Sequence, residues 1–502
     1  MAKSIKLEIS NLEKLHSVNP RLISYNVEMT EVTGGTFWKG YTEAQIDGTE
    51  AVPAPDFSKG MGAMHQWYEP IDTKNPRLIK LAKALGSCWV RVSGTWATKT
   101  YYDFADEYPA GTAPKGYDSV LKKQQWLDLL DFVKAVDGKL LISVANCEGL
   151  HSTEEPWNPS QAEQIFALSK EYGVPVDAVE FTNEPTMLEV SGFPKGYKPA
   201  HYGRDHDIFY RWLRENYPDC LAVGPCTCDA EATNFGGDKS SGGGIADVMG
   251  SCTTHQLMAG CTELMDVFSY HCYNGISERM AAMMPNMYTG PEGAMSEDYL
   301  GMAGHSARCF KPYRDQYAPG GELWVTESGD AGAGGHTWAS TYLEVPRTLN
   351  EIGDFASETS GVIFHNTLAS SDYGWLKHGT FVPRPSYFAV LLWKALMGNT
   401  VYDSKIARHE GAHVFCHDRA DGKEGNAWLV INTSWTEPTS VELPKEAQMY
   451  VLAGKDGMRS RTMTLNGEEL ALGEEDALPE LKGIVASGTV EVAPGSCAFF
   501  VL

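Results

Sequence analysis

Two short apolar runs in this chain end in a glutamate. One is Ala178-Val179-Glu180-Phe181-Thr182-Asn183-Glu184-Pro185, the other Leu323-Trp324-Val325-Thr326-Glu327-Ser328-Gly329. Each reads as a buried strand. Pro185 has no N–H to give to a sheet, so pairing is expected to stop at Glu184, where a loop begins. In a parallel α/β barrel that end of a strand faces the active site. Two carboxylates on two such ends are what glycoside hydrolysis requires. One protonates the leaving oxygen while the other, ionised and about 5–5.5 Å away, attacks the anomeric carbon. We assign Glu184 as acid/base and Glu327 as nucleophile. The amide of Asn183 then lies within reach of a sugar hydroxyl.

Other residues near these ends could support that chemistry. The run Tyr270-His271-Cys272-Tyr273-Asn274-Gly275 closes a further strand. Tyr273 either donates to the nucleophile and keeps it ionised, or packs as an aromatic with its hydroxyl satisfied. His271 reads first as structural support for the site. Gly332-Ala333-Gly334-Gly335 follows Glu327. Such a loop is either a mobile connection or a set of backbone N–H groups that grips an anion. Cys226-Thr227-Cys228, with His206 or His271, lacks a paired C-x-x-C, so no metal is expected. Asp418 and Asp421-Gly422 read as turn residues rather than a calcium loop. The chemistry needs no cofactor.

The elements that position these groups follow an α/β rhythm. Strand candidates lie at 22–28, 88–92, 140–144, 178–184, 221–224, 267–271, 323–328 and 361–365. Helical patterns separate most of them. Asn75-Pro76 and Asn158-Pro159 offer helix starts, Gly86 and Gly173 helix stops, and further helices fall near 126–136 and 208–216. Eight such strands predict a (β/α)8 TIM barrel, with Glu184 ending strand four and Glu327 strand seven. After about residue 398 short strands follow at 412–417, 427–432, 440–443, 448–452, 462–465, 489–492 and 498–502, without helices between them. That is an all-β sandwich. The expected organisation is α/β: an N-terminal strand within 1–15 that joins the sandwich, a catalytic barrel over 16–397, and the sandwich over 398–502.

Composition bounds the function. The chain has 502 residues, 43% of them hydrophobic, enough for more than one domain, and a formal net charge of −24. Such an acidic chain is poorly suited to wrapping nucleic acid or an anionic membrane. The 11 cysteines follow no framework spacing and read as reduced core thiols. Met1 to Lys6 carry no secretory signal pattern, so a cytoplasmic enzyme is expected. No apolar run is long enough to span a membrane.

With these residues placed, the chain resembles glycoside hydrolase family 79, the heparanase and β-glucuronidase family. The resemblance rests on Phe181-Thr182-Asn183-Glu184-Pro185, Tyr270 to Gly275, and Thr326-Glu327-Ser328 with its glycine loop. It extends to the closing segment, through Met463-Thr464-Leu465-Asn466-Gly467, Leu478-Pro479 and Pro494-Gly495-Ser496. It implies a retaining mechanism on β-linked glucuronic acid. It also implies substrate-contacting roles for Glu28, Thr95, Asn183, His271, Tyr273 and Tyr373. Glu28 falls where heparanase has an aspartate. Gly334 matches a position whose N–H binds the uronic carboxylate, and Gly335 is expected to share that task; Ala333 stands where heparanase has glycine. Two departures matter. The cleavage linker of animal heparanase has no obvious counterpart here, and Pro225-Cys226-Thr227-Cys228 stands where the heparanase cleft is basic. The expected substrate is therefore a small glucuronide, or the end of a uronic-acid-containing oligosaccharide. The alternatives are endo action on a glycosaminoglycan, a β-xylosidase with the same glutamate pair, or a non-catalytic carbohydrate-binding barrel. The oligomeric state is not legible.

Overall fold

A computed structural model of the chain describes residues 3–56, 58, 60–109, 111–228, 251–409 and 411–502. Eight parallel strands close into a barrel. They are β1 (Ile23–Glu28), β2 (Trp89–Ser93), β3 (Lys139–Ser143), β4 (Ala178–Glu180), β5 (Leu221–Thr227), β6 (Val267–Tyr273), β7 (Glu322–Gly329) and β8 (Ile363–His365). Consecutive strands are neighbours, and β8 returns to β1 with Ile363 opposite Ile23 and His365 opposite Tyr25. The barrel predicted from the rhythm of strands and helices is therefore the observed one.

The period-two alternation of the strands explains how the barrel carries a site. Along β2, Val90 and Val92 pack outward into the large core with the helices. Trp89, at the start of the same strand, belongs to a separate inner cluster with Leu141, Val223, Val267, Trp324 and Phe364. The Trp89 and Trp324 ring centroids are 4.9 Å apart. Two residues further on, the inner positions become Arg91, Ser143, Glu180 and Ser269, all fully buried. The barrel is thus plugged with aromatic and aliphatic groups at one end and polar at the carboxyl end of its strands.

Helix Pro76–Ala84 starts as its sequence dictates, with the Asn75 side chain accepting from the N–H of Arg77 at 3.0 Å. Helix Pro199–Asn216 begins well before the predicted 208–216. Its first half buries Asp205, His206 and Asp207, which breaks the apolar periodicity on which the prediction rests. Strand four is also shorter than predicted. Its pairing ends at Glu180, and Glu184 lies in the following loop with φ 44° and ψ 53°. Pro185 then opens a 3-10 segment that runs to Ser191. The Gly-rich stretch from Gly236-Gly237 to Gly242-Gly243-Gly244, an insertion between strands five and six, lies outside the described residues.

The C-terminal part is two packed sheets. One joins Lys3–Lys6 in parallel to Thr439–Glu442, which pairs with Thr489–Val492. The other has nine strands, including Met397–Tyr402, His413–Arg419, Asn426–Ile431, Ala447–Gly454 and Cys497–Val501. Ile5, Leu7, Val414, Trp428, Val441 and Phe500 form the core between them. Asp418 lies within a strand rather than in a turn, and accepts from the Thr400 N–H at 2.7 Å. The sandwich docks on the barrel's helical layer. A Cβ added at Gly353 would come within 2.5 Å of the Phe415 ring, and the single proton of the Tyr342 hydroxyl faces the carbonyls of Leu452 at 2.7 Å and Gly495 at 3.1 Å. None of the 11 cysteines, all among the described residues, is joined in a disulfide. Among the described residues no helix is long and apolar enough to cross a membrane.

Candidate active site

The carboxyl ends of β2, β4, β6 and β7 send side chains to one point. Arg91 on β2 is fully buried. It donates from Nε to Glu180 Oε2 at 2.9 Å, from Nη1 to Glu327 Oε1 at 3.1 Å and from Nη2 to Asn183 Oδ1 at 2.8 Å. A buried guanidinium with two carboxylate partners stays charged, because their attraction outweighs its desolvation. Arg91 thereby fixes the nucleophile candidate on one strand and the residue before the acid candidate on another.

Glu184 and Glu327 come together over this arginine. One oxygen of each carboxylate and a ring nitrogen of His271 all lie within 4.8 Å of one another. His271 Nδ1 is 3.0 Å from Glu184 Oε1 and 3.6 Å from Glu327 Oε2. Three such groups could in geometry hold a cation, but the Arg91 guanidinium already supplies one beside Glu327. Cys226 and Cys228 do not extend the set toward zinc. The Cys226 thiol donates to the Thr182 carbonyl at 3.0 Å, Cys228 pairs with the Thr186 hydroxyl at 3.3 Å, and His206 is bound to Asp207 at 2.9 Å.

The two acids nearest the floor of the site have opposite electrostatics. Burial by itself would raise the Glu327 carboxyl. His271 and Arg91, with hydrogen bonds from Tyr273 and Arg91, outweigh burial and hold Glu327 below the usual carboxylate range. The Tyr273 hydroxyl donates to Glu327 Oε2 at 2.8 Å. It accepts in turn from Asn366 Nδ2 at 2.9 Å. Of the two readings open for Tyr273, donation to Glu327 is the one the geometry carries. Glu28, at the end of β1, is pushed well above the carboxylate range by burial and then by the charge of Glu327. Its Oε2 is buried and has no hydrogen-bond partner among the described residues.

These groups lie at the bottom of a cavity of about 300 Å³. Sequence comparison adds a family to this geometry. Heparanase-like protein 1 of Arabidopsis thaliana is 23% identical over 485 residues, covering 86% of this chain and 85% of that protein. Hyaluronoglucuronidase of Hirudo nipponia is 23% identical over 475 residues, covering 86% of this chain and 90% of its own length. Over most of its length the chain is thus similar to heparanase-like and glucuronidase proteins. No family model matches it. Among solved structures, a 4-O-α-L-rhamnosyl-β-D-glucuronidase from Fusarium oxysporum superposes with a TM-score of 0.59 at 13% identity, covering 99% of this chain and 100% of that one. This likeness establishes the barrel-and-sheet fold.

The remaining positions that the family resemblance singled out fall unevenly. Thr95 opens a short 3-10 helix and lines the cavity with Gly94, Glu28 and Tyr373. Asn183 is buried, its Nδ2 without a partner among the described residues. Tyr373 is 3% exposed and its hydroxyl accepts from Asn366 Nδ2 at 3.2 Å. The glycine loop departs from expectation at Gly335. Its N–H donates to the Ala331 carbonyl at 3.1 Å, so the turn consumes the group that was to grip an anion. The cavity wall here is Gly332 and Ala333 rather than Gly334 and Gly335. Gly334 has φ +90°, and a Cβ there would lie 2.7 Å from Trp38 Cβ. Its role is to let the loop pass close to Trp38. Arg279 pins that loop from behind, donating to the carbonyls of Ala333 at 3.2 Å and Gly335 at 3.1 Å.

Sequence reasoning missed Arg91, Glu180 and Asn366. Arg91 and Glu180 each interrupt an otherwise apolar strand. A charge inside a barrel strand must find a partner, so the two together were a readable signal. Asn366 follows β8 with no such mark.

Proposed function

We propose that the protein is a retaining β-glucuronidase that releases β-linked glucuronic acid from small glucuronides or from the non-reducing ends of oligosaccharides. The carrying observation is the approach of Glu184 and Glu327 to within 4.8 Å. Retaining pairs sit at about 5–5.5 Å, whereas inverting pairs stand about 6.5–9.5 Å apart to admit a water. Glu327, kept ionised by Arg91 and Tyr273, attacks the anomeric carbon as Glu184 gives its proton to the departing oxygen. In the second displacement Glu184 takes a proton from water, whose oxygen replaces Glu327 on the sugar. His271 orients Glu184 at 3.0 Å. Asn183 is tethered by Arg91, and its buried Nδ2 has no partner among the described residues. The absence of Lys or Arg from the described cavity lining favours exo action over cleavage within a polyanion.

The test compares p-nitrophenyl β-D-glucuronide with the glucoside and the xyloside, using Glu327→Gln as control. The glucuronide is expected to react at least about tenfold faster than either, a difference of roughly 1.4 kcal/mol, and Glu327→Gln to abolish turnover. In proton NMR the β-anomer of glucuronic acid is expected to form first. Equal rates on the xyloside overturn the sugar assignment, and α-anomer appearing first overturns the double displacement.

A further inference from the structure

The cavity changes character between its floor and its walls. The floor comes from the ends of barrel strands and the loop after β8: Glu28, His271, Tyr273, Glu327, Asn366 and Tyr373. The walls come from the loops beyond the strands, and they are apolar. Trp38, Trp96, Met187, Met280, Met284 and Met287 all line it. Met280, Met284 and Met287 are 3–6% exposed and pack with Ile276 into one cluster against Trp38 and Ala333. Val190, at the rim, is 48% exposed.

The chemistry fixes which part of a substrate meets these walls. Glu184 must reach the glycosidic oxygen, so the leaving group starts at Glu184 and runs outward. The loop that follows Glu184 carries Met187 and Val190. We infer that the loop residues form an aglycone site for a flat apolar group, so that the substrates are β-glucuronides of phenols or fused-ring alcohols rather than links within an anionic polysaccharide. This rests on the glucuronidase reading above. Unbranched, polarisable methionines mould to ring systems of different outline and make favourable sulfur–ring contacts. The indoles add broad faces for stacking. A sulfated or uronate-bearing aglycone would instead call for cations, and no Lys or Arg lines the described cavity.

Binding of sulfur-linked glycosides, which are not hydrolysed, tests this without turnover. By calorimetry, 2-naphthyl 1-thio-β-D-glucuronide is expected to bind at least tenfold more tightly than the methyl 1-thio-glucuronide. In Val190→Asp and in Met284→Gln that ratio is expected to fall below threefold. Val190 is exposed enough for its variant to fold, which far-UV dichroism and an unchanged thermal midpoint would verify. A naphthyl-to-methyl ratio near one overturns the aglycone site, as does tighter binding of a sulfated glucuronyl disaccharide or a ratio untouched by either variant. The matching pair of thioglucosides separates this inference from its premise. If the glucosides bind as well as the glucuronides while the naphthyl advantage persists, the uronic-acid reading falls and the apolar site stands.

Discussion

Removing one hydroxyl tests whether the protein holds its nucleophile ionised. Tyr273→Phe deletes the 2.8 Å hydrogen bond to Glu327 Oε2 and leaves the ring, which stacks 6.4 Å from that of Tyr373, in place. Burial pushes Tyr273 itself well above its ordinary range, so it acts as a neutral donor. A hydrogen bond to a charged group contributes roughly 1.5–3 kcal/mol. At about 1.4 kcal/mol per pH unit, its loss moves the acidic limb of kcat/KM upward by roughly one to two pH units. Arg91 still donates to Glu327 Oε1 at 3.1 Å, which places the shift toward the lower figure. Asn366 keeps the Tyr373 hydroxyl at 3.2 Å as a partner, so the fold should tolerate the change. The assay is kcat/KM on p-nitrophenyl β-D-glucuronide across the acidic range for wild type and variant. That limb reports the essential base of the free enzyme. The variant should lose far more activity on the acidic side than near neutrality. A profile lowered equally at every pH, its acidic limb unmoved, would refute the assignment of Tyr273 as the donor that keeps Glu327 ionised.

Two further perturbations follow from the same wall of the site. Gly94 has φ +94°, and a Cβ there would lie 1.6 Å from Glu28 Oε2. Gly94→Ala combines backbone strain of about 1–3 kcal/mol with displacement of Glu28 into the cavity. It should lower the thermal midpoint and raise KM for the glucuronide, and wild-type values for both would contradict the crowding. Glu31 is pushed up to about 8 by burial, against the opposing hydrogen bond from the Glu28 N–H. It is protonated in the fold and ionised in the unfolded chain above about pH 4.3. Its contribution is therefore fully present below that value and lost as pH rises toward 8, at up to about 1.4 kcal/mol per pH unit. Glu31→Gln should flatten the fall of the thermal midpoint between pH 5 and 8, and identical slopes would remove Glu31 as the cause.

What could be read from the sequence was whatever repeats or ends a pattern. Eight apolar runs alternating with helices declare a barrel, because each run must be buried on both faces. The two glutamates were visible because they close such runs. The exact place of Glu184 was not visible. Pairing stops at Glu180, and the backbone then turns into a left-handed residue that nothing in Asn-Glu-Pro demands. Gly335 in the glycine loop misled for a related reason. Free N–H groups are a property of conformation, and a turn closed between Gly335 and Ala331 looks in sequence like an open one. Arg91 shows the opposite case. Its partners Glu180, Asn183 and Glu327 lie on other strands or in the loop after one, so only the oddity of a charge in Trp89-Val90-Arg91-Val92 points to it.

Burial does two different things to acids a few ångströms apart, and both serve one reaction. Glu327 is buried with Arg91, His271 and Tyr273 aimed at it, so desolvation is overruled and the charge stays. Glu28 is buried with an unpartnered oxygen beside that charge, so desolvation and repulsion add and the proton stays. Among the described residues, a uronate entering this cavity meets no lining Lys or Arg. Arg91 is engaged by Glu180, Glu327 and Asn183, and Arg279 is turned to the loop carbonyls and to Asp372 at 2.7 Å. On the glucuronidase reading, then, the sugar's charge has to be met by neutral donors, of which the Tyr373 hydroxyl and a protonated Glu28 are the buried ones at hand. An ionised Glu28 would repel the substrate and Glu327 together. What matters in Glu28 is the dry position of its carboxyl, because dryness is what makes a carboxylic acid a donor.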